Sequence, residues 1–308
     1  FPSNSGADIR LSVNRFDVAN FYYFGPRHSG GVASSARAAS SISQSLMSLM
    51  IEKNEWHLKI RYLLRYLNLG ESIDIELKPH LRVRKNADHF IDEMWRRLKR
   101  LTGNLEGALK ESVDGALYAI SVLKEVGLKG LFEERSTRTL SFRFSSKTGL
   151  VTPDSDYKNF FKLKGGDAQA SWPKLFIGLI STGILSPRVS FFLDDHNSRK
   201  VDLDEMSSGQ WQLINCLFNL SAVVRDDSMI LIDEPENSLH PQWQRDYISL
   251  VRELISHVQG CHVLIATHSP LLVSSLLPND GRLLTLSRDG DDPSVSAQLE
   301  ASAYGWLP

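Results

Sequence analysis

From Asp88 to Val126 the apolar residues recur every three or four positions: Phe90, Met94, Leu98, Leu101, Leu105, Leu109, Val113, Leu117 and Ile120. That period predicts one long helix, or a helical pair broken near Gly103. A second helix is predicted from about Ser43 to Leu69, carrying Leu46, Met50, Leu58, Leu63 and Leu67, with Gly70 as its stop. It is entered by a loop, Gly25 to Ser45, rich in Gly, Ser and Ala. Trp172 to Leu185 reads as a third helix. Alternation with a period of two marks strands: residues 8–24, Leu140–Phe144, and Ile73–Leu77 with Leu81–Arg84 around Pro79 as a hairpin or two short strands. Val151 to Gln169 is polar, with Pro153, Asp154, Asp156, Gly165 and Gly166, and is expected to be a mobile loop.

The last third has a different grain. Val189–Leu193 and Lys200–Leu203 form a predicted hairpin about Asp194–Asn197. Ser207 then opens an apolar helix (Trp211, Leu213, Ile214, Leu217, Phe218, Leu220), followed by a buried strand at 229–232, a helix after Pro241, a strand at 263–266 and another helix. Apolar strands alternating with helices predict an α/β fold with a parallel sheet covered on both faces. The 308 residues suit one or two domains.

Net charge is -1, so there is no global basic field, and any nucleic-acid contact must be local. The densest basic region is Arg96, Arg97, Lys99 and Arg100 beside Trp95, with Arg82, Arg84 and Lys85 nearby; Asp92, Glu93 and Glu106 dilute it. Arg27, His28 and Arg37 are comparable candidates. DNA contact is one expectation there, and a solvated helix face is the more ordinary one. Cys216 and Cys261 have neither paired nor metal-type spacing and read as small core residues in a reducing, cytoplasmic setting. No stretch of about 18 apolar residues predicts a membrane span. The opening Phe1 is expected to lie inside a longer polypeptide.

Chemistry concentrates at three places. Asp233 and Glu234 end the apolar run Met229–Ile232, so a buried strand projects two acids from its carboxyl end. Such a pair can place one carboxylate near Mg2+ and use the other on an attacking water. Val263–Thr267 repeats the design and brings His268 to the same sheet edge, where open α/β sheets bind ligands. Ser207-Ser208-Gly209-Gln210 at a helix start offers hydroxyls and backbone N–H groups to an anion. Each has an ordinary reading, as strand-end acids, a capping histidine and a Ser N-cap. Their order and conjunction favour a nucleotide site.

Met206-Ser207-Ser208-Gly209-Gln210 resembles the signature loop of the ABC ATPases, Ile230–Pro235 their Walker B strand, Asn237-Ser238-Leu239-His240 their D-loop, and Thr267-His268-Ser269-Pro270 their switch-histidine loop. The resemblance is strong over about 189–290. Glu236-Asn237-Ser238-Leu239-His240-Pro241 is similar to soluble ATPases related to SMC, RecF and OLD proteins, which act on DNA or drive antiphage systems such as Septu and some retrons. It implies a P-loop NTPase fold, ATP and Mg2+ as cofactors, Asp233 holding Mg2+ through water, Glu234 as general base and His268 as sensor of the γ-phosphate. Ser207, Ser208, Gly209, Gln210, Asn237 and Ser238 would contact ATP sandwiched head-to-head in a homodimer or higher oligomer. Met206 and Ser208 depart mildly from the usual leucine and glycine.

One part is missing. A phosphate loop needs glycine followed by lysine, and none of the 20 glycines is followed by Lys. Ser146-Lys147-Thr148-Gly149 lacks the upstream glycines. The loop is therefore expected from another lobe, upstream or on a second chain. The resulting organisation is the end of a first lobe at 1–40, a helical insertion at 41–135, the second ATPase lobe at 136–290, and the start of an extension at 291–308. The expected function is an ATPase subunit that senses DNA or controls an effector, a nuclease, in antiphage defence. A DNA-repair or chromosome-maintenance ATPase, a transporter's nucleotide-binding subunit and a nonhydrolytic module are the rivals.

Overall fold

The computed structural model describes residues 34–51, 56–80, 87–102, 107–126, 139–153, 168–193, 199–276, 281–288 and 295–300. The chain divides into two compact units: Phe1–Ser207 with Ile214–Val223, and Ser208–Leu213 with Val224–Pro308.

In the first unit the elements are α1 (Ser35–Ile51), α2 (Trp56–Tyr66), β1 (Leu69–Pro79), α3 (Ala87–Leu101), α4 (Gly107–Val126), β2 (Leu140–Ser145), β3 (Val151–Pro153), α5 (Ala168–Ser181), β4 (Leu185–Leu193) and β5 (Lys200–Asp202). The final part of α6 (Ser208–Val223) also belongs there. The strands form an antiparallel sheet in the order β3-β2-β1-β4-β5. Alternation explains it: Ile73, Ile75 and Leu77 of β1 are buried, and Asp74 and Glu76 face the other way, half-buried. Ile75 stands opposite Phe142 and Val189, and Ile73 opposite Phe144 and Phe191, so one face is continuously apolar. On the other face Arg143 donates to Asp74 at 2.7 and 2.9 Å, and Lys200 lies 3.0 Å from Glu76. Phe142 stacks on Trp172 of α5 at 5.2 Å and meets Phe176 edge-on at 5.0 Å.

A polar device pins α6 to α1. Asn219, fully buried, accepts from Ser41 (2.8 Å) and Ser45 (2.6 Å) through Oδ1 and donates to the Asn215 carbonyl and Oδ1 at 2.7 and 3.0 Å. Every polar atom of the amide is used, which is what makes its burial tolerable.

The second unit holds the start of α6, then β6 (Met229–Asp233), α7 (Pro241–Ile255), β7 (His262–Ala266), the single turn α8 (Pro270–Val273), β8 (Leu283–Arg288) and β9 (Val295–Glu300). β6 and β7 pair in parallel, Met229 opposite His262 through Asp233 opposite Ala266, and β8 and β9 form an antiparallel pair.

Several expectations need correction. The predicted Ser43–Leu69 helix is two helices, starting earlier: α1 begins at Ser35, inside the supposed loop, and Leu69 already opens β1. The serines of α1 are tolerated in a helix because their hydroxyls are satisfied, Ser40 and Ser43 on the carbonyls of Ala36 (3.1 Å) and Ala39 (2.7 Å) and Ser41 and Ser45 on Asn219. Ile73–Leu77 is not half of a local hairpin: its partners are β2 and β4. The helix of Trp172 starts at Ala168 and ends at Ser181, and Leu185 begins a strand. Among the described residues the largest sheet is antiparallel, and only β6 and β7 are parallel, because alternating strands with one charged face need cover on one side only. Nor is the parallel pair covered on both faces: Met229, Leu231 and Leu264 are 70%, 61% and 61% exposed. Cys216 and Cys261 are half-buried rather than core. The strands expected at 8–24, the Leu81–Arg84 strand, and Arg27, His28, Arg82, Arg84 and Lys85 lie outside the described residues, as does most of the polar stretch after Pro153. Among the described residues no helix is long and apolar enough to cross a membrane.

Candidate functional site

β6 ends at Asp233, which is exposed at the carboxyl end of the strand. The Glu234 amide still donates to the Ala266 carbonyl at 2.9 Å, so the ladder with β7 runs one residue past the strand. Glu234 then adopts φ 47°, and Ser238 adopts φ 68°. A left-handed backbone costs a non-glycine residue about 1–3 kcal/mol and persists only where surrounding structure holds it. Between them the chain makes a tight turn, with Asn237 N–H donating to Glu234 O (3.2 Å) and Leu239 N–H to Glu236 O (2.9 Å). His240 caps α7, its Nδ1 accepting from the Gln242 amide at 3.3 Å, and Pro241 suits the first turn.

The same edge receives the loop after β7. His268 does not cap α8, whose N-cap is Ser269. Its ring is 74% exposed, and Nδ1 contacts Glu234 Oε2 and lies 3.5 Å from Glu236 Oε1. Glu234 Oε2 is buried and makes no well-formed hydrogen bond. Glu236 is buried, and its Oε1 accepts from the Thr267 hydroxyl (2.5 Å) and the His268 amide (2.9 Å). Thr267 Oγ1 in turn accepts from the Ser269 amide (2.9 Å), Ser269 Oγ donates to Gln244 Oε1 (2.7 Å), and Gln244 Nε2 donates to the Leu239 carbonyl (3.1 Å). Burial pushes the Glu236 carboxyl up, but the Thr267 hydroxyl, its own amide, the His268 amide and Glu234 together outweigh that and hold it below the ordinary glutamate value.

The structure thus brings Glu234 and His268 together, with Asp233 alongside. Ser208, Gly209 and Gln210 form the first turn of α6, and Ser207 precedes it, exposed. Gly209 is buried, and a Cβ there would lie 2.2 Å from the Ser238 carbonyl oxygen. The glycine is therefore required by close backbone approach to the turn at 235–238. Asn237 and Ser238 are exposed on that turn. Ser146-Lys147-Thr148 is a hairpin turn between β2 and β3, closed by Ser145 N–H to Leu150 O at 2.9 Å, and no helix follows it as one follows a phosphate loop.

Glu234, Glu236 and His268 have ligand atoms within 4.8 Å of one another. This trio fits Mg2+ poorly: one donor is an imidazole nitrogen, and Glu236 Oε1 already accepts two hydrogen bonds. Asp233 fits better, as an exposed carboxylate able to hold a hard cation that keeps most of its waters. In the sequence Glu236 and Thr267 stand only as members of the family motifs, and nothing there marks Gln244. The available signal was a third acid within three residues of the strand end.

On the basic face of α3, Arg97 pairs with Glu93, and Lys99 and Lys124 flank the Trp95 ring at 4.9 and 5.1 Å, Lys124 also pairing with Asp92 at 2.6 Å.

Two parallel strands thus end in two acids and a histidine, beside a helix start drawn against their turn, at the sheet edge where α/β folds bind ligands. Residues 32–274 match the family described as "AAA domain, putative AbiEii toxin, Type IV TA system", and the chain belongs to that family, whose AAA domain carries the P-loop NTPase α/β fold. The chain is also similar to the Septu protein PtuA of Bacillus thuringiensis, 35% identical over 80 residues. That stretch spans 26% of this chain and 19% of the relative.

Proposed function

We propose that this chain supplies the hydrolytic side of a composite ATP site in an ABC-type ATPase of the SMC, RecF and OLD-related branch. The observation that carries the reading is the contact of Glu234 with His268 at the adjoining carboxyl ends of β6 and β7. Asp233 would hold Mg2+ through water, Glu234 would take the proton of the attacking water, and His268 would stand beside it to meet the terminal phosphate. Bound Mg2+ supplies positive charge against the phosphate oxygens. Ser207, Ser208, Gly209, Gln210, Asn237 and Ser238 face the nucleotide of an opposing protomer, so that ATP gates a dimer.

The phosphate loop comes from residues outside this sequence, on the same or a second polypeptide. Two observations support that placement. No glycine is followed by lysine. Met229, Leu231 and Leu264 lie open on strands of a type normally covered on both faces. Covering them would contribute about 1.5–3 kcal/mol each.

Similarity to the Septu protein supports a role in antiphage defence with an effector partner, taken here to be a nuclease. DNA contact on α3 is secondary, its Arg97 and Lys99 already being engaged within the helix.

The test is Glu234→Gln in the complete protein. Removing a general base lowers turnover by about 10²–10⁴-fold, while ATP stays bound and the dimer accumulates on size exclusion. Turnover at the parent rate would show that Glu234 is not the base.

A further inference from the structure

We propose that Glu236 is a positioning residue that holds the switch histidine in its working place, and this rests on the reading of Glu234 and His268 given above. A carboxylate is costly to bury in a turn whose neighbours Asn237 and Ser238 are exposed, yet the Glu236 side chain is only 5% exposed. Both hydrogen bonds to its Oε1 come from one place, Thr267 and His268, more than 30 residues along the chain. One is the backbone N–H of His268 itself, so the bond fixes the main chain from which the ring projects. The same oxygen lies 3.5 Å from Nδ1 of that ring, whose other acidic neighbour is Glu234. Glu236 therefore sets both the backbone and the Nδ1 side of His268, leaving Nε2 as the nitrogen turned to a ligand.

The left-handed turn serves this arrangement. With φ 47° at Glu234, the chain folds back so that the acid two residues later lies beneath the loop after β7 while Glu234 meets the ring from its own side. Thr267, Ser269 and Gln244 extend the lacing to the start of α7, so movement of the turn at 235–239 is transmitted to His268 by hydrogen bonds rather than by loose packing. Glu236 does not act as a metal ligand or base in this account, because the oxygen facing the site is spent on two donors. Its other oxygen, Oε2, is buried without a hydrogen-bond partner.

A double-mutant cycle on ATP turnover by the complete protein tests this, with kcat and KM measured for Glu236→Ala, Glu236→Gln, His268→Ala and the Glu236→Ala/His268→Ala pair. Displacing a reacting group by about 1 Å costs about 100-fold in rate. Glu236→Ala should therefore lower kcat by about 10- to 100-fold, with KM for ATP near the parent value. Glu236→Gln keeps an acceptor oxygen and should restore most of the loss. In the His268→Ala background, removing Glu236 should change kcat by less than about twofold, because residues acting as one unit are not additive. Independent, multiplying losses, or a Gln variant as impaired as Ala, would overturn the proposal. Should Glu236→Ala fail to fold, Thr267→Val removes one of the two donors and must show the same dependence on His268, and multiplying losses there overturn it equally. If instead the parent does not hydrolyse ATP, or Glu234→Gln turns over normally, the underlying site assignment fails, and the positioning role with it.

Discussion

Gly209→Ala puts one methyl group into the tightest backbone approach at the site. The new Cβ would meet the Ser238 carbonyl oxygen at 2.2 Å, its carbon at 3.2 Å and Leu239 Cα at 3.6 Å. The first distance is about 1 Å inside the shortest common carbon–oxygen contact. All three atoms are backbone, so no rotamer can relieve the clash, and Ser238 is already left-handed at φ 68°. Overpacking costs about 1–3 kcal/mol, and this case belongs at the upper end. Alanine's helix propensity returns up to about 1 kcal/mol. The net expectation is a loss of about 2 kcal/mol, or a melting temperature lower by about 4–8 °C. Gly115→Ala is the matched control: it lies within α4 and its added Cβ meets nothing within 4 Å. The same chemical change there should stabilise by about 0.5–1 kcal/mol. Thermal melts followed by circular dichroism read both. A Gly209→Ala protein melting at or above the parent, with Gly115→Ala raised as expected, would refute the close approach of the helix start to the turn.

Asn219→Leu should destabilise by at least about 1–3 kcal/mol in urea, because the Ser41 and Ser45 hydroxyls lose their common acceptor and Ser45 is buried; an unchanged midpoint would mean the network is dispensable. Glu71 is lowered from its usual value, where burial raises it but Arg61, Lys147 and Arg65 outweigh that. Its stabilisation is therefore complete above the ordinary glutamate value of about 4.3 and fades as pH falls through the lowered value. The carboxylate is 33% exposed, so the effect is within about 1 kcal/mol. The urea midpoints of parent and Glu71→Gln should converge below pH about 4, and a gap that widens on acidification would reverse the assignment.

The elements from Val189 to Ala266 were legible because apolar runs of strand length are punctuated there by prolines and polar turns, whereas the pair β8 and β9 was not read at all. The carboxyl ends of β6 and β7 then placed Asp233, Glu234 and His268 together without further information. The antiparallel sheet was not legible in the same way. Alternation at Ile73–Leu77 identifies a strand and its faces but not its partners, which lie at Leu140–Ser145 and Leu185–Leu193, far along the chain. Asn219 was hidden by the apolar pattern of its helix, since a buried amide differs from an exposed one only through serines on α1. Glu236 shows the same limit at the site. Its letter stood in the motif, but its burial and its grip on the His268 amide depend on how two loops meet.

The central claim is that residues 1–308 hold one side of an ATP site whose phosphate loop lies elsewhere. Isothermal titration of this chain alone with Mg-ATP tests it most directly. The account predicts no saturable heat at micromolar nucleotide, and binding that appears once the chain is joined to the segment carrying the phosphate loop. Micromolar, saturable binding by residues 1–308 alone would contradict it.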